Sequence, residues 1–166
     1  MRRFFNTLRE RVNWKHGLKA AIAAGVSLLL VRALKLEQGF WACVSAIVVM
    51  QSETAATLAA SWDRLVGTAL GAVLGWIAAE LWGNDHLLPY IVTVLVCMLV
   101  PDVIGLKSAS AGRMAGVTAS IVLLVPGSAS YAEVARERFL EVSLGIVVAL
   151  FVSHVLWRKT RLDQRG

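Results

Sequence analysis

Charge is scarce in this 166-residue chain. Asp, Glu, Lys and Arg make up 17% of it against 57% hydrophobic residues, and the mean hydropathy is +0.66. A soluble domain carries about 25% charged residues and about 45–50% apolar ones, so a soluble globular fold is excluded and a bilayer is the expected environment. Acidic groups are the scarcer sign, 11 against 17 basic, for a net charge of +6. The basic residues gather at the two ends and between apolar runs. With no aromatic-basic stripe on one face, they read as a membrane topology signal and not as a nucleic-acid surface. Cysteine is limited to Cys43 and Cys97 in separate apolar segments, with no CxxC and no clustered His, which excludes a disulfide framework or a metal site. No glycine-rich phosphate loop follows a strand, and Gly127–Ser130 after Pro126 is a flexible connection, so ATP-driven chemistry is excluded. Asn84, Asp85 and His86 form a polar turn rather than a catalytic cluster. Neither enzyme activity nor a cofactor is expected.

What is present is one unit written twice. Gly39, Ala42, Val44, Ala46 and Val49 recur about 73 residues later as Gly112, Ala115, Val117, Ala119 and Val122, with Ser45 answered by Thr118. Downstream, Asp63, Arg64, Leu70 and Gly71 are answered by Glu137, Arg138, Leu144 and Gly145. If each copy crosses the membrane three times, the copies face opposite ways, the inverted-repeat plan of many transporters.

The charges that bound the apolar runs predict six transmembrane helices at about 16–34, 38–60, 64–82, 87–104, 110–127 and 138–157. The expected organisation is a basic N-terminal segment (1–15), a six-helix membrane module (16–157, with repeats at about 16–82 and 87–157) and a basic tail (158–166). Arg2, Arg3, Arg9, Arg11, Lys15, Lys19, Arg64, Lys107, Arg113, Arg158, Lys159, Arg161 and Arg165 fall on one side, and Arg32, Lys35, Arg136 and Arg138 on the other. The positive-inside rule makes both termini cytoplasmic, in a multi-pass protein of a bacterial-type inner membrane. The run Ala20–Val31 ends in Arg32 without a small-residue cleavage site, against a cleaved signal peptide.

Small residues recur at helical spacing: Gly67, Gly71 and Gly75, then Gly112, Gly116 and Ser120, then Gly145, Ala149 and Ser153. Such ridges bring helix backbones close, within one chain or between subunits. Trp14, Trp41, Trp62, Trp82 and Trp157 fall near span ends and read mostly as interface anchors. Arginine inside a membrane is costly, and an Arg facing a wet cavity attracts carboxylate. Arg64 and Arg138 form the repeat-related pair, and Arg113 is a third candidate for an anion pathway. The alternative is structural: Arg64 paired with Asp63 or snorkelling, Arg113 likewise, and Arg138 paired with Glu141 one turn on. For proton coupling, Glu53, Glu80, Asp102, Glu141 and His154 are candidates, and Glu141 is preferred because it lies inside the last span.

The stretch Gln38, Gly39, Phe40, Trp41, Ala42 through Met50 and Gln51, followed by Arg64, Val66, Gly67, Thr68 and Gly71, resembles the fusaric acid resistance and aromatic acid exporter family. That family shows a [QR]-G-[YF]-W-A opening, an apolar run closing near Met-Gln, and R-x-x-G-T-x-x-G after it. The resemblance covers about residues 15–157. The Pro that usually follows the closing Gln is here Ser52, and larger members carry a second membrane module or a cytoplasmic domain. The resemblance implies efflux of organic anions, particularly aromatic carboxylates. A single six-helix module implies a homodimer in the lipid bilayer. The alternatives are an anion channel, or an accessory membrane protein without a pathway.

Overall fold

The computed structural model describes residues 14–36, 38–83, 86–106, 108–124 and 130–163, with side chains as far as 155. These form six helices: α1 (Trp14–Ala33), α2 (Phe40–Val49), α3 (Thr54–Trp82), α4 (Leu87–Val103), α5 (Ala109–Leu124) and α6 (Tyr131–Asp163). No strand occurs among the described residues, so the all-α class stands. The N-terminal arginines, Lys107, Asn84, Asp85, residues 125–129 and the side chains of Trp157 and the basic tail lie outside the described residues.

Burial is the inverse of a soluble protein's. Large apolar side chains cover the outside, with Leu87 and Leu88 each 73% exposed and Val103 83%. The interior is rich in Ala, Gly, Ser and Thr beside a smaller set of Val, Ile, Leu and Met, and also holds Arg64, Arg138 and Glu141. An apolar surface of this extent calls for lipid around it, and an interior of small residues is how helices pack where lipid supplies no hydrophobic drive between them. The chain is a membrane protein.

Several predicted helix boundaries are corrected. The expected second span, 38–60, stops at Val49, because Met50 is extended (ψ 122°) and α3 begins at Thr54. Thr57 stabilises the break: its Oγ1 accepts from the Gln51 N–H at 3.0 Å while its hydroxyl donates to the Glu53 carbonyl at 3.0 Å. No proline is needed. At ten residues α2 is about 15 Å long, half a bilayer core. The last helix starts seven residues earlier than predicted through a capping box. The Ser130 N–H donates to the Glu133 carboxylate at 2.8 Å, and the Glu133 N–H donates to Ser130 Oγ at 3.3 Å. Three helices, α1, α3 and α6, are long and apolar enough to cross a membrane; α2, α4 and α5 are shorter.

The packing pairs are α1 with α2 and α6, α2 with α3 and α6, α3 with α4, α5 and α6, α4 with α5, and α5 with α6. Exchanging α1, α2 and α3 for α4, α5 and α6 turns this set of pairs into itself, with α3–α6 as the pair that maps onto itself. Helices α3 and α6 run antiparallel. Ser153 donates to Thr54 at one end of their contact (3.4 Å), while Val73 and Trp76 share a groove with Ala132 and Ala135 at the other. Helices α3 and α5 run parallel in close register, Gly67, Gly71 and Gly75 lying against Ala111, Ala115 and Ala119. A Cβ on Gly71 would fall on the Ala115 carbonyl, and a Cβ on Gly145 would fall on that of Ala42. Since Ala42 and Ala115 are repeat equivalents, as are Gly71 and Gly145, the two close approaches are the same contact made twice. Where α5 faces α4, a Cβ on Gly112 would come within 2.9 Å of the Met98 carbonyl oxygen, whereas one on Gly116 would touch Val94 at an ordinary 3.7 Å.

Replacing Gly71 or Gly145 by Val forces the paired helices apart and is expected to destabilise the bundle by at least about 1–3 kcal/mol, the usual cost of overpacking. Gly116→Ala should be close to neutral. Denaturant unfolding of the purified variants in detergent micelles checks both.

Candidate functional site

The early starts of α3 and α6 carry their arginines well inside the bundle. Arg64 lies ten residues beyond Thr54, about 15 Å along α3, and Arg138 seven residues beyond Tyr131, about 10 Å along α6. Both are buried, Arg64 to 7% exposure and Arg138 to 1%. Because α3 and α6 cross antiparallel at this level, the two side chains face one small cavity. Thr68 from α3, Val142 from α6, Met114, Val117, Thr118 and Ile121 from α5, and Trp41 from α2 complete its wall. Its volume is about 10 Å³, room for about one water molecule.

The two guanidinium groups are held differently. Arg138 Nη2 donates to Gln38 Oε1 at 2.7 Å and lies 2.9 Å from Glu141 Oε2, a charge contact rather than an aligned hydrogen bond. Its guanidinium carbon sits 5.3 Å from the centroid of the Trp41 ring, within cation–π range. Arg138 Nε and Nη1 are buried with no hydrogen-bond partner among the described residues. Arg64 donates through Nε to Ser45 Oγ at 3.1 Å and through Nη1 to Met114 Sδ at 2.8 Å. A thioether is a weak acceptor, and no carboxylate pairs with Arg64 among the described residues; Asp63 is only half-buried and makes no ion pair with it.

The contacts repeat across the two halves. Arg64 reaches Met114 and Arg138 reaches Trp41, and Met114 and Trp41 are the residues immediately before the equivalent Ala115 and Ala42. Each arginine is thus covered by the second helix of the opposite copy.

Of the residues singled out from sequence, Arg64 and Arg138 meet at this cavity, Glu141 does not line it but contacts Arg138, and Arg113 is exposed on α5 and lies apart from it. Glu53, Glu80, Asp102 and His154 are also exposed, and Glu80 accepts from Trp76 Nε1 at 3.1 Å. The glycines at 67, 71, 75, 112 and 145 lie at close helix contacts within the chain. Trp41 belongs to the site rather than to a membrane interface. Gln38, Ser45 and Met114 were missed. Gln38 contacts a residue 100 positions away, and the usable signal was the alignment of Trp41 with Met114 ahead of the matching alanine of each repeat.

An apolar exterior around an ionised interior defines an integral membrane bundle. The sequence profile of the fusaric acid resistance protein-like family matches residues 23–152, and the chain belongs to that family. It is 26% identical to the uncharacterized transporter YdhK of Escherichia coli K12 over 141 residues, 81% of this chain and 21% of that protein. It is 27% identical over 84 residues to the uncharacterized protein slr1298 of Synechocystis, 51% of this chain and 11% of that one. A Neisseria gonorrhoeae protein, ORF2, is 27% identical over 62 residues, 37% of this chain and 15% of its own length. The chain therefore spans about a fifth or less of the curated relatives it matches. No solved structure matches it.

Arg138→Gln strips Glu141 of its partner in a buried setting and should cost about 3–5 kcal/mol. The double variant Arg138→Gln/Glu141→Gln should lose clearly less than the two single losses added. A double-mutant cycle on unfolding midpoints in detergent measures that coupling.

Proposed function

We propose that the chain is a protomer of a membrane transporter that exports aromatic or other organic carboxylate anions. In this reading it acts as a homodimer in an inner membrane with both termini cytoplasmic. The observation that carries it is the convergence of Arg64 and Arg138 on one cavity, with two buried N–H groups of Arg138 lacking an acceptor. Buried donors without partners are expensive, and a carboxylate supplies the acceptors a guanidinium fork matches. The Trp41 ring with Val117, Ile121 and Val142 gives the same cavity an apolar wall, which must part to admit an aromatic body because the cavity as it stands has room for about one water. A relative named as a transporter, YdhK, supports the class of activity.

The two halves act as inverted repeats about an axis through the α3–α6 contact. The antiparallel course of those helices, the self-mapping set of helix pairs and the doubled glycine–alanine contact support this. The homodimer is proposed with this reading, as the assembly in which the six-helix module acts. Because the glycine ridges at 67–75 and at 145 are already filled from within, its contact lies on other surfaces.

Arg64→Gln leaves no buried carboxylate unpaired, so the protein should assemble normally. Benzoate flux into proteoliposomes should fall by about tenfold or more, since a hydrogen bond to a charged group contributes roughly 1.5–3 kcal/mol. Arg113→Gln should leave the cavity intact and change flux far less. An assembled Arg64→Gln protein with unchanged flux would remove the anion route.

A further inference from the structure

We propose that Glu141 sets the charge number of the anion this site accepts, so that the site takes monocarboxylates and rejects dicarboxylates. This rests on the transport reading above. The charged side chains buried among the described residues are Arg64, Arg138 and Glu141: two cations that line one cavity, and one carboxylate that does not line it but lies 2.9 Å from Arg138. A charge held away from water is costly unless it is matched, so one further negative charge brings the centre to neutrality and a second overshoots it.

The imbalance is built in by a difference between the two copies. Glu141 follows Arg138 by three residues, and at the equivalent place after Arg64 stands Gly67, against the Ala111 carbonyl and the Met114 Cβ with no space for a side chain. The second copy carries its own counter-ion and the first has none. Arg64 instead holds two neutral acceptors, Ser45 Oγ and Met114 Sδ. Methionine is flexible about three bonds. Displacing its sulfur exchanges a weak acceptor for a carboxylate oxygen, and the free N–H edge of Arg138 is available across the cavity for the other oxygen. The cavity as it stands admits about one water, so Met114 is the side chain whose movement makes room.

The test uses the full chain in proteoliposomes at neutral pH with benzoate, which carries one negative charge, and terephthalate, which carries two on the same ring. The wild-type protein should move benzoate in preference to terephthalate. Glu141→Gln raises the site charge by one and should shift the benzoate-to-terephthalate flux ratio toward the dianion by at least about tenfold, well within what an unpaired buried charge costs. Thr68→Asp, near-isosteric at a residue that is 1% exposed and lines the same cavity, cancels the net charge and should abolish benzoate flux. An assembled Glu141→Gln protein with the wild-type ratio overturns the inference and leaves transport standing. Where Glu141→Gln does not assemble, Thr68→Asp decides, and undiminished benzoate flux in it overturns the inference too. A wild-type protein that moves neither anion overturns the transport reading itself.

Discussion

The burial of Arg138 in a bundle jacketed by Leu, Val, Ile, Phe and Trp is the constraint from which much of the architecture follows. A guanidinium at 1% exposure must find its partners inside the protein, because neither lipid nor bulk water reaches it. Its partners are Glu141 from the next turn of α6 and Gln38 and Trp41 from the start of α2. Helix α2 must therefore lie along α6, and it can do so because Gly145 has no side chain to meet the Ala42 backbone. Keeping α2 at that depth also keeps it short. The chain turns at Met50–Glu53, with Thr57 covering the exposed backbone groups of the break, before α3 runs back through the bundle with Arg64 inside.

How much of this the sequence discloses depends on the range of the interaction. The membrane class, the doubled unit and the Arg64/Arg138 pairing are legible because they are written in composition and in spacing along the chain. The Arg138–Glu141 contact was legible as an alternative, since residues three apart on a helix are neighbours. The Ser130–Glu133 capping box is also local and readable, yet the apolar count placed the start of the last helix later, because Glu133, Arg136 and Glu137 look like connector residues until the cap is recognised. The break after Val49 was hidden by the continuous apolar run that precedes it and by the absence of proline. Gln38 and Met114 could not be found locally at all. Each becomes a partner of an arginine only once helices from the two copies are laid side by side.

The copies have diverged in ways that follow a pattern. Where the α3–α6 contact includes the second half of α6, Leu65, Ile146 and Leu150 fill it as part of one apolar cluster. At the other end, the places equivalent to Ile146 and Leu65 hold Ala72 and Phe139. Ala69, Ala72, Ala132 and Ala135 there leave a groove of about 380 Å³ with Arg136 on its wall. The contact between these two antiparallel helices is thus filled by larger side chains at one end and grooved at the other.

The same divergence appears in the charges. In one copy an arginine is covered by an aromatic ring and carries a carboxylate one turn away; in the other it is covered by a thioether and followed by glycine. Two symmetric halves would either bury two unmatched cations or neutralise both, and neither state distinguishes a bound anion from an empty site. Under the transport reading proposed above, with one arginine compensated and the other left to neutral acceptors, the empty site would hold together through Arg138 and Glu141 while Arg64 would keep its pull on a carboxylate. On this view the first copy recognises and the second stabilises, a division of labour that duplication makes possible because each copy already supplies the wall over the other's arginine.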